Sequence, residues 1–207
     1  MKSLLKPDAK GFEADPFGYS ALAWHKWGLL ATASGFPVDI SKAPIAQDLK
    51  NPVLWLSHAN ALSEAAVYLV RNDPPLTSIP EDIRSICHSQ YYAVALMLVG
   101  YSLEVCLKAM RLIQMGANDF MANEKDHFHH DLNELARFIT ELSDKDQAIL
   151  QCLSHFVRWA GRYPDPGSKR LESAVDVFAV SEQFKITAKD VFDLSARVMH
   201  HTRVVVK

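Results

Sequence analysis

The chain has 207 residues, 49% hydrophobic and 22% charged, with a formal net charge of −2. This is a globular composition: it excludes a disordered chain and leaves any nucleic-acid or anionic-lipid contact to a local basic patch. Cys87, Cys106 and Cys152 lie far apart without a C-x-x-C pair, which excludes a disulfide framework and a cysteine zinc site and points to a reducing compartment.

In chain order, MKSLLKPDAK holds too few leucines for a signal peptide, and residues 1–16, interrupted by Pro7, Gly11 and Pro16, read as an arm. A first helix is predicted from Phe17 to Ala33, with Tyr19, Trp24, Trp27 and Leu30 on one face and Gly35 and Pro37 closing it. Residues 36–51 read as a loop. A second helix is predicted from Pro52, well suited to a first helical turn, to Arg71, where Asn72-Asp73-Pro74-Pro75 stops it. The prolines at 74, 75 and 80 mark a soft boundary over 73–80, dividing an N-terminal helical extension (1–80) from a main unit (81–207).

The stretch from Glu81 to Gly116 reads as one long helix, apolar nearly all round in its middle and closed by a glycine able to take the left-handed conformation. No charged residue lies between Arg84 and Glu104, so a membrane span has to be weighed. Ser85, His88, Ser89, Gln90 and Ser102 leave only Ala93 to Val99 strongly apolar, far short of the roughly 20 residues a span needs. The expectation is a buried helix wrapped by others.

After a loop over 117–128, Leu132, Leu135, Ala136, Ile139 and Leu142 predict a helix through HHDLNELARFITEL. Ser143 with Asp146 forms a capping-box candidate for the next helix, whose stripe is Ile149, Cys152, Leu153, Phe156, Val157 and Ala160 and whose end is Gly161 or Arg162. Tyr163-Pro-Asp-Pro-Gly167 is a turn. Residues 168–181 fit a strand, a short helix or an ordered loop equally. Thr187 with Asp190 caps a last helix. Strand signals are few, so the fold class is all-α.

Glu104 and Lys108 are four apart and share a helix face within an apolar helix. A buried pair there needs partners, for which His130, Arg158 and Arg162 are candidates; such a cluster is either a structural latch or the wall of a binding site. His127, His129 and His130 make H-x-H-H beside Asp126 and Asp131, a spacing that matches no metal motif, so no metal or other cofactor is expected. His155, Arg158 and Arg162 at i, i+3 and i+7 predict a stripe along one face, with Trp159 and Tyr163 beside it. Guanidinium groups next to rings suit a phosphate or a base, but three positives on one helix are more often an ordinary solvated face, which Glu172 or Asp165 could neutralise.

GYSLEVCLKA in a long helix, then a loop, then HHDLNELARFI, then a helix ending WAGRYPDP, resembles the HEPN domain superfamily over about residues 81–205. The resemblance implies an antiparallel helical bundle, commonly a homodimer, cytoplasmic, without a membrane, in toxin–antitoxin or defence systems. HEPN ribonucleases carry arginine followed, after four to six residues, by histidine, and cleave RNA without metal. The nearest candidates here, Arg84 with His88 and Arg197 with His201, have only three residues between them and depart from that pattern. Arg162-Tyr163-Pro164 instead is similar to the branch associated with nucleotidyltransferases, for which the resemblance implies binding of a nucleotide, an RNA or a nucleotidyltransferase-type partner, carried over to Glu104, Lys108, His130, Arg162 and Tyr163. The reading is therefore a non-catalytic binding module, with a metal-independent endoribonuclease and a purely structural helical protein as alternatives.

Overall fold

The computed structural model describes residues 6–168 and 175–206. They form eleven α-helices, and no strand occurs among the described residues, as the all-α expectation requires. The chain divides into two compact units, Met1–Leu54 and Trp55–Lys207. The division therefore falls near the start of the second predicted helix rather than at 73–80. That helix gives Ala59 and Ala66 to the core of the second unit.

The first unit holds α1 (Ala9–Ala14), α2 (Pro16–Ser20), α3 (Ala23–Ala33) and α4 (Ala46–Leu49). The expected arm is thus helical in part. The Asp8 side chain accepts from Lys10 N to cap α1, and Phe12 meets the Tyr19 ring edge-on. The single helix expected from Phe17 to Ala33 is two, because the ladder breaks at Ala21 and Leu22, where ψ is −4° and 0°. Trp24 and Trp27 stack at 5.0 Å, while Leu30 of the expected face is exposed.

The second unit is built on α6 (Glu81–Met115), which runs as expected to Gly116 at φ +80°. By length and composition α6 could cross a membrane, but 61% of its most apolar window is buried inside the fold, the pattern of a core helix. Leu103, Leu107 and Met110 of α6 join Ala59 and Ala66 of α5 (Pro52–Arg71), and Ser102 Oγ donates to Ala59 O at 2.8 Å. α7 (Ala117–Ala122) and a 3-10 turn (Glu124–Asp126) follow. α9 (Asp144–His155) opens on the expected capping box, Ser143 N donating to Asp146 Oδ2 and Asp146 N to Ser143 Oγ. α10 (Val177–Phe184) settles the described part of the ambiguous stretch as a helix; residues 169–174 lie outside the described residues. α11 (Ala188–Val205) begins at the expected Thr187–Asp190 box and packs on α6 through Val191, Leu194 and Val198.

One predicted helix is mostly absent. Of HHDLNELARFITEL only Leu132–Leu135 is helical (α8), and 136–142 continues as turns. The apolar periodicity is met, since Leu132, Leu135, Ala136 and Ile139 are all buried. The carbonyls of Glu134 and Leu135, however, accept from Arg111 Nη2 at 2.8 Å and Nε at 3.1 Å. Ile139 N turns back to Ala136 O instead of Leu135 O. A guanidinium reaching from α6 thus takes over two carbonyls that a continuing helix would use.

Candidate functional site

The face that α6 turns toward the α7–α8 loop carries two buried charges, Glu104 and Lys108, each 6% exposed. Their spacing stacks them one turn apart, and Lys108 Nζ lies 2.6 Å from Glu104 Oε1. The other carboxylate oxygen, Oε2, meets His130 Nδ1 at 2.8 Å. Lys108 Nζ also sits 5.1 Å from the centroid of the Phe128 ring. Of the three partners expected from sequence only His130 reaches the pair, and it does so from a side chain 44% exposed. A buried carboxylate with both oxygens hydrogen-bonded is a satisfied group rather than a vacant one.

Arg158 is spent elsewhere. Its Nη2 lies 3.1 Å from Asp131 Oδ2, while Asp131 Oδ1 accepts Glu134 N and so caps α8. Both side chains are about half exposed, where an ion pair contributes about 0–1 kcal/mol. Arg162 donates to Arg158 O, and its guanidinium carbon lies 5.6 Å from the centre of the exposed Tyr163 ring.

The stripe expected from His155 through Arg158 to Arg162 does not form. His155 is 9% exposed and packs edge-on against Trp159 at 4.6 Å, whereas Arg158 and Arg162 are exposed. The cause is a π-helical segment, Phe156–Ala160, in which Gly161 N bonds to Phe156 O, five residues back. One extra residue in a turn rotates all that follows by about 100°. Burial, followed by the Arg158 charge, holds the His155 imidazole below its ordinary range.

The three clustered histidines point three ways. His127 is buried against Phe120, His129 Nδ1 accepts Asp131 N at 3.1 Å, and His130 meets Glu104. Among the described residues no group of three or more His, Cys, Asp or Glu is arranged to hold a metal ion.

The two arginine–histidine pairs differ. Arg84 Nη2 donates to Ile79 O at 3.1 Å, and His88 packs its ring edge-on to Tyr92; both side chains are exposed. Arg197 and His201 instead line one open cleft of about 650 Å³ with Ile139, Leu142, His200 and Val204. Within it the Arg197 guanidinium grips Asp146 with both terminal nitrogens, Nη1 to Oδ2 at 3.2 Å and Nη2 to Oδ1, and His201 lies 6.2 Å from the Phe138 ring. Burial alone would raise the Asp146 carboxyl, but hydrogen bonds from Arg197 and Ser143 outweigh it and hold the group below its usual range. The same contact raises Arg197.

Sequence reasoning found Asp146 only as a cap, and it missed Arg111 and the pairing of Asp131 with Arg158. Asp146 and Arg197 are 51 residues apart, beyond any local spacing rule. No protein-family model, no curated protein and no solved structure matches the chain.

Proposed function

We propose that this chain is a non-catalytic, HEPN-like binding module: an antiparallel helical bundle, cytoplasmic and homodimeric, that engages a nucleotide, an RNA or a nucleotidyltransferase-type partner in a toxin–antitoxin or defence setting. The order of the phrases around Glu104, His130 and Arg162 motivates the family. The observation that carries the non-catalytic part is the engagement of Arg197 by Asp146. A guanidinium already bidentate to a buried carboxylate has little left to offer a scissile phosphate. The binding part draws on Arg162 and Tyr163, an exposed cation beside an exposed ring, the chemistry that holds a phosphate next to a stacked base.

The test is a metal-free RNA cleavage assay beside fluorescence-anisotropy titrations with labelled RNA and nucleotides, with sedimentation reporting the oligomeric state. Expected are no cleavage, saturable binding weakened at least about tenfold by Arg162→Ala as a charge-assisted contact is lost, and a dimer. If neither RNA nor nucleotide binds and no protein partner co-purifies, the functional half of this reading is lost.

A second reading, metal-independent endoribonuclease, is favoured by one observation: Arg197 and His201 share the same cleft. It requires cleavage that His201→Ala abolishes and His88→Ala spares, or the reverse for the Arg84–His88 pair.

A further inference from the structure

His127 is 3% exposed, and neither of its ring nitrogens has a hydrogen-bonding partner. Its imidazole lies nearly flat on Phe120, centroids 4.8 Å apart and planes 18° apart, and Phe120 is itself fully buried. An imidazole placed this way serves as an aromatic plate and is tolerated there only while neutral.

The charged groups around it would oppose a proton. From α6 come Lys108 and Arg111; from the loop itself come Asp126 and His129. α5 adds the ring of Trp55, which meets Phe120 and Phe128 edge-on at 5.8 and 6.2 Å. Lys108 is neutralised by Glu104, but Arg111 spends its donors on the neutral carbonyls of Glu134 and Leu135 and keeps its full charge. Asp126 alone favours protonation.

What His127 holds down matters to its neighbours. Phe128, the next residue, covers the Lys108 ammonium, and His130, three further on, occupies the second oxygen of Glu104. Displacing the imidazole from Phe120 drags both contacts with it.

We propose that residues 117–131 form an acid-sensitive latch: protonation of His127 expels it from the face of Phe120, releases Phe128 and His130, and exposes the buried Glu104–Lys108 pair to solvent. The latch is a property of the fold and is independent of what the protein binds. The sign follows from linkage. Burial first, then Arg111, holds the imidazole below the ordinary histidine range. The unlatched segment, whose histidine titrates near about 6.5, therefore binds more protons, and closure is complete above that pH and weakens as pH falls below it.

Hydrogen exchange by mass spectrometry on the full chain at about pH 7.5 and about pH 5.5, corrected for intrinsic exchange, tests this across the histidine range. In the wild type, peptides spanning 117–131 lose protection by up to about tenfold on acidification, the limit set by a free histidine titrating near about 6.5. His127→Phe, which keeps the ring on Phe120 and cannot take up a proton, abolishes the loss. His155→Phe, which removes the other buried imidazole, leaves it in place. Equal protection of 117–131 at both pH values in the wild type overturns the proposal, as does an acid loss that persists in His127→Phe. Should that variant fold poorly, the wild-type NMR titration of the His127 ring decides: its midpoint must coincide with that of the exchange change, and a separate midpoint overturns the latch.

Discussion

Glu104 is the residue on which the candidate site turns, because its carboxylate pairs with the buried Lys108 ammonium at 2.6 Å. Glu104→Ala leaves that ammonium unpaired in the core, and removing one partner of a buried pair costs about 3–5 kcal/mol. Urea denaturation should show a loss of that size; a loss below about 1 kcal/mol, the range of a surface pair, would mean that solvent already reaches Lys108. Replacing both members with apolar residues of similar volume, Glu104→Leu with Lys108→Met, should recover most of the loss, since a buried pair and its apolar isosteres are often close in stability. If the pair is only a latch between helices, neither change alters RNA or nucleotide binding. Asp146 tests a different term. Its carboxyl is held low by Arg197 and Ser143 against the opposing effect of burial. The unfolded chain therefore binds the proton more readily, and the contribution of Asp146 is full above about pH 4 and fades as pH falls through its folded value. Asp146→Asn should flatten the acid limb of the stability profile below about pH 4, measured as thermal midpoint against pH. An unchanged limb would show that Arg197 does not hold the ionised form. The Glu104–Lys108 pair was legible in the sequence because a one-turn spacing is a local rule. The Asp146–Arg197 pair was not, because only the packing of both α9 and α11 on α6 brings it together.

At the level of elements, the contact between α6 and the π-helical segment sets how closely two helices approach, and it rests on two glycines. A Cβ on Gly100 would lie 2.4 Å from Val157 Cγ2 and 3.2 Å from Leu153 O; one on Gly161 would lie 2.3 Å from Met97 Cβ. In an exposed helix Gly→Ala gains about 1 kcal/mol of propensity. Here overpacking, typically about 1–3 kcal/mol, opposes it. Gly100→Ala should therefore lower stability by about 1–2 kcal/mol in chemical denaturation, and Val157→Ala in the same chain should relieve part of that. A stabilising Gly100→Ala would show that α6 can shift without strain. Elements whose termini are set by local chemistry were legible: α9 and α11 begin at the predicted boxes, and α6 ends beside Gly116. The region after Leu135 was misread because its apolar spacing is real and its residues are buried, while the decision to leave the helix is made by Arg111, more than twenty residues earlier. The π-helical turn has no signature in apolar periodicity either, and it alone takes His155 off the expected stripe.

For the whole molecule, the question is which part of the chain carries its stability. The unit from Met1 to Leu54 has only Trp24 and Gly28 buried among its described residues, and it exposes Phe12, Phe17, Phe36, Ile45 and Val53. The second unit encloses a continuous cluster from Ala59 to Val198. Folding has to offset roughly 1–2 kcal/mol of backbone entropy per residue, and burial of apolar surface is the main term that does so. Two buried residues cannot approach that. A fragment of residues 50–207 keeps α5 whole together with its cap, Asn51 Oδ1 accepting Val53 N at 2.9 Å, and retains every buried residue of the cluster. It should be helical by circular dichroism and unfold in a single cooperative transition, with coincident midpoints by fluorescence and ellipticity. A fragment of residues 1–54 should show no cooperative transition, because its exposed aromatic residues have no core to join. A cooperative 1–54 fragment, or a 50–207 fragment that melts gradually, would place the stability of this chain somewhere other than around α6.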